Sequence, residues 1–428
     1  MREPLYLVAG VRTPFCKMGT ALAGVDAVDL GRTAAAAVLA QTGIDPAQID
    51  EVIFGCVGQP ADAANVSRVI ALRAGVPESV PAITVHRNCA SGFEAITQAA
   101  EKIAAGRGDI FLVGGTESMS RYPLLYNDSA AKKFGTLSKA KNLTQKAAAL
   151  LRFRPGDFAP RASLLLGLTD PVCGCNMGQT AEILARDWHI TREAQDQFAL
   201  QSHQRAAAAR EKFVEETCPV YPRGTRAPVN VTEDNGVRAG QTIEALAKLR
   251  PIFEKRGGTV TAGNASQVTD GAVAMLVMSE SALRRTRLTP LGQLVHYAYA
   301  GCEPARMGLG PLYAIAKAQK LSGLGLKDAD LIEINEAFAA QLLACSAAAV
   351  SPEFNRKHLG RSIVLGEIPN EILNVNGGAI ALGHPVGATG VRLVLTALKE
   401  LQRRQARRAL VTLCVGGGQG GALWLEAT

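Results

Sequence analysis

Three short patterns in the first part of the chain return in the last part, in the same order and at nearly one offset. Gly43-Ile-Asp-Pro-Ala-Gln-Ile-Asp-Glu-Val-Ile53 is matched by Gly325-Leu-Lys-Asp-Ala-Asp-Leu-Ile-Glu-Ile-Asn335, Ala90-Ser91-Gly92 by Ala388-Thr389-Gly390, and Val113-Gly114-Gly115 by Val415-Gly416-Gly417. Each match alone is weak. Together they predict an ancient duplication and two similar halves packed against each other, over residues 1–285 and 286–428. A chain of 428 residues is in any case too long for one ordinary core. Apolar β-branched runs (5–10, 52–54, 110–113 and 410–413) read as buried strands. Ala-rich runs over 67–75, 92–105, 177–188, 192–215 and 390–402 read as helices. That alternation predicts an α/β fold with layered helices and a mostly central sheet.

The segment from about 120 to 255 breaks the alternation and reads as a loop domain inserted in the first half. Between Ala130 and Ala162 it carries eight Lys or Arg and one acidic residue, Asp157. Residues 236–258 read as irregular coil. The net charge of +8 fits an anionic small substrate better than nucleic acid, because the basic residues are not interleaved with aromatics and no nucleic-acid motif appears. No apolar run reaches the roughly 18 residues of a membrane span, and no export signal is visible, so a cytoplasmic location is expected. The nine cysteines are read as free thiols. Cys173-Gly-Cys175 is too tight for a usual zinc site and has no His at ligand distance, so no metal is expected.

Chemistry concentrates at four places. Cys89 follows a short strand (82–86) and precedes a helix among small residues. The helix dipole there is expected to favour thiolate, although a buried structural Cys is the plainer reading. His384 stands in a window, 374–390, with five glycines, which suggests backbone approaching a ligand and one imidazole on display as base or donor. Cys414 ends an apolar strand before Val415-Gly-Gly-Gly-Gln-Gly-Gly421. That glycine run lacks the Lys and Ser/Thr of a phosphate-binding P-loop. Asn335 and Glu336 lie at a strand end, where helix capping competes with a role in holding a water or carbonyl.

These motifs, with Thr261-Ala-Gly-Asn-Ala-Ser266 and Asn335-Glu-Ala-Phe338, resemble the thiolase superfamily in order and over almost the whole chain. The resemblance implies a thiolase fold: two βαβαβ-type halves in α/β/α/β/α layers with an inserted loop domain. It implies an acyltransferase with no prosthetic group, using coenzyme A as substrate. Cys89 would be the acyl-accepting nucleophile, His384 its activator and Cys414 the general acid/base. Asn335 would serve one oxyanion hole, and the amides of Cys89 and Gly416 the other. Ser266, Asn176 and Met177 would contact the pantetheine. The insertion resembles the branch that pairs with a hydratase/dehydrogenase subunit in fatty-acid β-oxidation, where it contacts a partner or a membrane surface. A homodimer or homotetramer is implied by analogy. Three other readings are weaker. A decarboxylating 3-ketoacyl synthase would want two His and no second Cys. A non-catalytic CoA- or lipid-binding relative would not need Cys89, His384 and Cys414 together. A short-chain acetoacetyl-CoA thiolase differs only in substrate length.

Overall fold

The computed structural model describes residues 4–222 and 230–428. The first half contributes strands β1 (Leu5–Arg12), β2 (Glu51–Gly55), β3 (Ala82–Val85), β4 (Ile110–Ser118) and β5 (Thr269–Met278). The second contributes β6 (Gly292–Gly301), β7 (Leu331–Ile334), β8 (Arg408–Val415) and β9 (Gln419–Ala427). They lie in the order β3-β2-β4-β5-β1-β6-β9-β8-β7, and the short strand Cys16–Lys17 adds to β5. From the centre outward each half repeats one plan. β1 and β6 are central; β5 and β9 run antiparallel to them; β4 and β8 run antiparallel to those; β2 and β7 lie parallel to β4 and β8. Outermost, β3 pairs with β2, and its counterpart is a single bridge from Leu373 to Ile332. The halves join where Leu5, Tyr6 and Leu7 pair with Leu294, Gln293 and Gly292.

Five layers result. Helices α1 (Ala27–Thr42) and α2 (Val66–Arg73) cover the outer face of the first half-sheet. Between the half-sheets lie α3 (Ser91–Ala104) and, from the second half, α10 (Val386–Arg404). In chain order between them come α4 (Asp128–Ser138), α5 (Leu143–Leu150), α6 (Met177–Asp187) and α7 (Arg192–Ala208), then α8 (Gly310–Ser322) and α9 (Ala339–Ala349). Helices α8 and α9 belong to the outer layer of the second half, where they share a core with Ile332, Ile334 and Leu410. The central core is built from inward side chains of both half-sheets, among them Val113, Met275, Val411 and Leu423, closed around Phe93, Ile96, Val394 and Leu398.

The two central helices cross at the equivalent glycines the sequence singled out. A Cβ on Gly92 would stand 2.7 Å from the Val391 nitrogen, and one on Gly390 2.5 Å from the Phe93 nitrogen. Nothing larger than hydrogen fits between the two backbones. The duplication also explains the insertion. In the second half β8 turns directly into β9 through Gly416, Gly417 and Gly418, the last two at φ +88° and +81°. In the first half the equivalent strands β4 and β5 are separated by residues 119–268, which carry α4 to α7.

Some expected elements differ. The helix read over 192–215 is two pieces, α7 and Arg210–Val214. The break turns Phe213 and Glu216 onto the buried Arg12, whose guanidinium lies 5.2 Å from the Phe213 ring centre and 2.7 Å from Glu216. The expected coil 236–258 contains a helical turn, Ile243–Ala247, capped by Thr242. Helix α10 starts at Val386, not Gly390, so two of the window's five glycines are helical. None of the five needs a ligand to explain it, because each meets protein. Cβ atoms at 377, 378, 383, 387 and 390 would stand 2.2–2.7 Å from Ser202, Glu336, Thr269, Thr116 and Phe93.

These distances make a paired prediction. Gly92→Ala forces overpacking at the crossing and should lower stability by about 1–3 kcal/mol. Gly135→Ala, in α4 with open space around it, should raise stability by roughly 0.5–1 kcal/mol. Urea titrations of both variants check the contrast. Equal effects would mean that the crossing does not constrain the fold.

Candidate active site

Cys89 sits in the tight connection between β3 and α3. The Arg87 amide donates to Ser91 Oγ at 2.9 Å, and Ser91 Oγ donates to the Asn88 carbonyl at 2.7 Å. Asn88 takes a left-handed φ of +43°, a strained choice for a non-glycine residue. The second half secures it: Asn88 Nδ2 donates to the Gly416 carbonyl at 2.7 Å, and the Arg87 guanidinium lies 4.1 Å over the Tyr299 ring. The Cys89 thiol is pushed up from its ordinary pKa, chiefly by burial; the Gly416 and Cys89 amides oppose that shift. This corrects the expectation of a depressed pKa. At this half-buried helix start, desolvation of the thiolate outweighs the dipole and the amides, so the resting group is a thiol.

His384 stands just ahead of α10, as Cys89 stands just ahead of α3. Its Nδ1 lies 2.6 Å from Thr389 Oγ1. Because that hydroxyl donates to the Pro385 carbonyl at 3.0 Å, it accepts from Nδ1–H, and Nε2 carries the lone pair. Asn335 Nδ2 faces Nε2 at 3.4 Å. Burial first, and the positive charge of Arg392 second, push the imidazole down to about 3, so it is neutral near pH 7. Asn335 closes β7, its amide donating to Thr412 O, and its Oδ1 is buried with no protein partner among the described residues. It does not cap α9; Phe338 holds that position. Glu336 is a brace, accepting from Ser202 Oγ, Asn374 Nδ2 and the Ile380 amide.

Cys414, on β8 opposite Gly420, is fully buried. Burial, and next the neighbouring Cys89, hold its thiol well above the ordinary range. Gly416 opens the β8–β9 turn. Met177 Sδ lies 3.2 Å from where a Gly416 Cβ would stand, which places the start of α6 over the turn. Asn176, expected at the pantetheine, spends its side chain in a capping box: Oδ1 accepts from the Gln179 amide, and Gln179 Oε1 accepts from the Asn176 amide. Ser266 is half-buried, its amide donating to Ala337 O beside the Asn335 loop. Cys89, Cys414, Gly416 and Met177 thus adjoin one another, and His384 and Asn335 form a second pair at the head of α10. No group of three or more His, Cys, Asp or Glu among the described residues could hold a metal ion.

Two thiols, a neutral imidazole and a glycine turn suit covalent acyl chemistry. The family described as "Thiolase, N-terminal domain" matches residues 5–281, and "Thiolase, C-terminal domain" matches residues 288–427. The chain belongs to the thiolase family. It is 42% identical to a 3-ketoacyl-CoA thiolase of Pectobacterium atrosepticum, over 100% of this chain and 97% of that protein. The human mitochondrial 3-ketoacyl-CoA thiolase structure superposes with a TM-score of 0.85 at 38% identity, covering 100% of this chain and 99% of that one. The Bacillus anthracis acetyl-CoA acetyltransferase gives 0.87 at 37%, with the same coverage. This thiolase is therefore an acyltransferase, with the α/β thiolase fold.

Sequence reasoning missed three supports of this thiolase's site. Thr389 orients His384. Asn88 ties the Cys89 loop to Gly416. Glu117 accepts from the Val57, Gly58 and Gly387 amides and from the Tyr122 hydroxyl, so one buried carboxylate joins loops of both halves. Its signal was present: an acidic residue at the end of a strand that begins as a buried apolar run, 110–113, must have partners.

Thr389→Val removes the acceptor for the His384 Nδ1 proton. It should lower kcat on the order of tenfold with KM little changed. Nitrogen-15 spectra of the wild type should show a neutral imidazole protonated on Nδ1 at pH 6; an imidazolium there would contradict this. The sign of the linkage is fixed. An unfolded chain protonates this His below about 6.5, whereas the folded one resists until about 3, so the His384 contribution to stability is lost as pH falls through that window.

Proposed function

We propose that this thiolase transfers the acyl group of a 3-ketoacyl-CoA to coenzyme A and releases acetyl-CoA, in fatty-acid β-oxidation. The observation that carries the reading is the pairing of two thiols, the half-buried Cys89 and the fully buried Cys414, the first beside the Gly416 amide, with an imidazole held neutral at the start of the facing helix. The Cys89 proton passes to His384 Nε2 as the sulfur adds to the 3-keto carbon. The C2–C3 bond breaks, and its electron pair leaves as the enolate of acetyl-CoA. Cys414 protonates that enolate. Coenzyme A then gives its thiol proton to the Cys414 thiolate and attacks the acyl group on Cys89. The new acyl-CoA departs, and Cys89 recovers its proton from His384. The amides of Cys89 and Gly416 donate to one developing oxyanion, and His384 and Asn335 serve the other. Met177 and Ser266 flank the pantetheine. The capping box of Asn176 argues for an indirect part there, through the placement of Met177.

Several further features of the reading rest on surface chemistry. β3 is an end strand with Ile83 43% exposed, which supports a homo-oligomer joined along that edge. In the insertion, exposed Leu143, Leu150 and Leu151 stand among Lys139, Lys141, Lys146 and Arg152. That basic, apolar face suits a hydratase/dehydrogenase subunit or a membrane surface. No helix among the described residues is long and apolar enough to cross a membrane. The nine free cysteines fit a reducing compartment such as the cytoplasm. A second reading, a short-chain acetoacetyl-CoA thiolase, is favoured by the likeness to the Bacillus anthracis acetyl-CoA acetyltransferase.

Coenzyme-A-dependent loss of 3-ketoacyl-CoA, measured on four-, eight- and sixteen-carbon substrates, separates the two. Activity rising with chain length supports β-oxidation; activity confined to acetoacetyl-CoA favours the short-chain reading. Cys414→Ala should still accept an acyl group from simple acyl-CoA donors but fail at carbon–carbon cleavage. Normal thiolysis by Cys414→Ala would sink the proposed proton path.

A further inference from the structure

The proposed reaction uses neither Cys173 nor Cys175, yet the fold holds this pair together at the door of the site. They lie in the loop that leads into α6. Asp170, 3% exposed, accepts through Oδ1 from the Val172 amide at 2.7 Å and the Cys173 amide at 2.9 Å. The Gly174 amide donates to Asp170 O at 2.9 Å, and the Asp170 amide donates to Cys175 O at 2.8 Å. Gly174, at φ +73°, lets the chain reverse between the two cysteines. The turn sets Cys175 Sγ 3.8 Å from the Cys173 carbonyl and the Cys175 amide against the Cys173 sulfur. Both residues are partly exposed, unlike Cys16, Cys56, Cys345 and Cys414, which are buried.

The same loop is tied to the catalytic turn. Thr169 and Asn176 bridge across its mouth, and the Met177 amide donates to Leu168 O at 2.9 Å. Asn176 caps α6, and Met177 lies over Gly416. Closing a disulfide fixes the two Cβ atoms about 3.8 Å apart, and the segment on which that constraint acts runs directly into the start of α6.

We propose that Cys173 and Cys175 form a reversible disulfide that regulates acyl-CoA binding by moving Met177; the regulatory part rests on the function proposed above. The oxidant is a small-molecule disulfide such as oxidised glutathione. The Cys173 thiolate attacks one glutathione sulfur, breaking its S–S bond and releasing one glutathione thiolate. The Cys175 thiolate then attacks the Cys173 sulfur of the mixed disulfide and expels the second. Two electrons pass from the protein to glutathione, and the two cysteine protons end on the two glutathione thiols. Burial, and the charges of Asp170 and Cys175, raise the Cys173 thiol above its ordinary pKa, so exchange is slow near pH 7 and quickens as pH rises.

The full-length protein is incubated with oxidised glutathione, remaining thiols are alkylated, and the peptide holding residues 170–176 is weighed. The expected product lacks two hydrogens and regains them with dithiothreitol. In parallel, KM for 3-ketoacyl-CoA should rise several-fold in the oxidised wild type with kcat nearly unchanged. A Cys173→Ala/Cys175→Ala variant should keep the reduced KM under both conditions. A peptide carrying only glutathione adducts, or none, overturns the disulfide whatever the enzyme's activity. A disulfide with no change in KM, or equal loss in the double variant, overturns the coupling to the site. Absence of thiolysis in the reduced protein would count against the proposed function and leave the mass measurement standing.

Discussion

The close crossing of α3 and α10 at Gly92 and Gly390 is the constraint on which the rest of the molecule depends. Each half of the duplicated chain sends one helix into the middle layer, and the two can approach only because neither carries a side chain at the contact. Their starts hold Cys89 and His384. A helix start is where backbone amides lack partners of their own, so the crossing brings two such ends into one buried region. The second half adds the β8–β9 turn, whose Gly416 faces Cys89. Neither half has a complete site by itself.

Burial sets the chemistry. It raises the thiols of Cys89 and Cys414 and lowers the His384 imidazole, so all three groups rest uncharged. Charge then appears only as reaction proceeds, at positions where amides and side chains already point. Two buried carboxylates, Glu117 and Glu336, stand one step back and accept backbone amides and side-chain donors. Their work is positional: Glu117 ties the 57–58 loop to the start of α10, and Glu336 ties α7 to the 374–380 segment ahead of His384.

The architecture was legible because duplication writes itself as repeated local pattern. The matched Gly43 and Gly325 segments, each a short turn entering a strand, occupy equivalent places before β2 and β7. What failed to show was whatever depends on three-dimensional neighbours. The five glycines of 374–390 suggest a ligand in the linear sequence, yet they meet Ser202, Glu336, Thr269, Thr116 and Phe93, contacts spread along the chain. The helix end alone implies a lowered Cys89 pKa; the opposing burial is invisible in a linear string. Asn176 is a different case. Asn-Met-Gly-Gln179 is a capping-box spacing, a local signal that the structure realises at the start of α6.

The central claim is that Cys89 carries the acyl group between two substrates. It is tested most directly by mixing the protein with a 3-ketoacyl-CoA in the absence of free coenzyme A, quenching in acid and mapping the adduct by mass spectrometry. The account predicts one acyl group per chain, on Cys89, discharged when coenzyme A is added. An acyl group on any other thiol, or thiolysis that persists in Cys89→Ala, would contradict it.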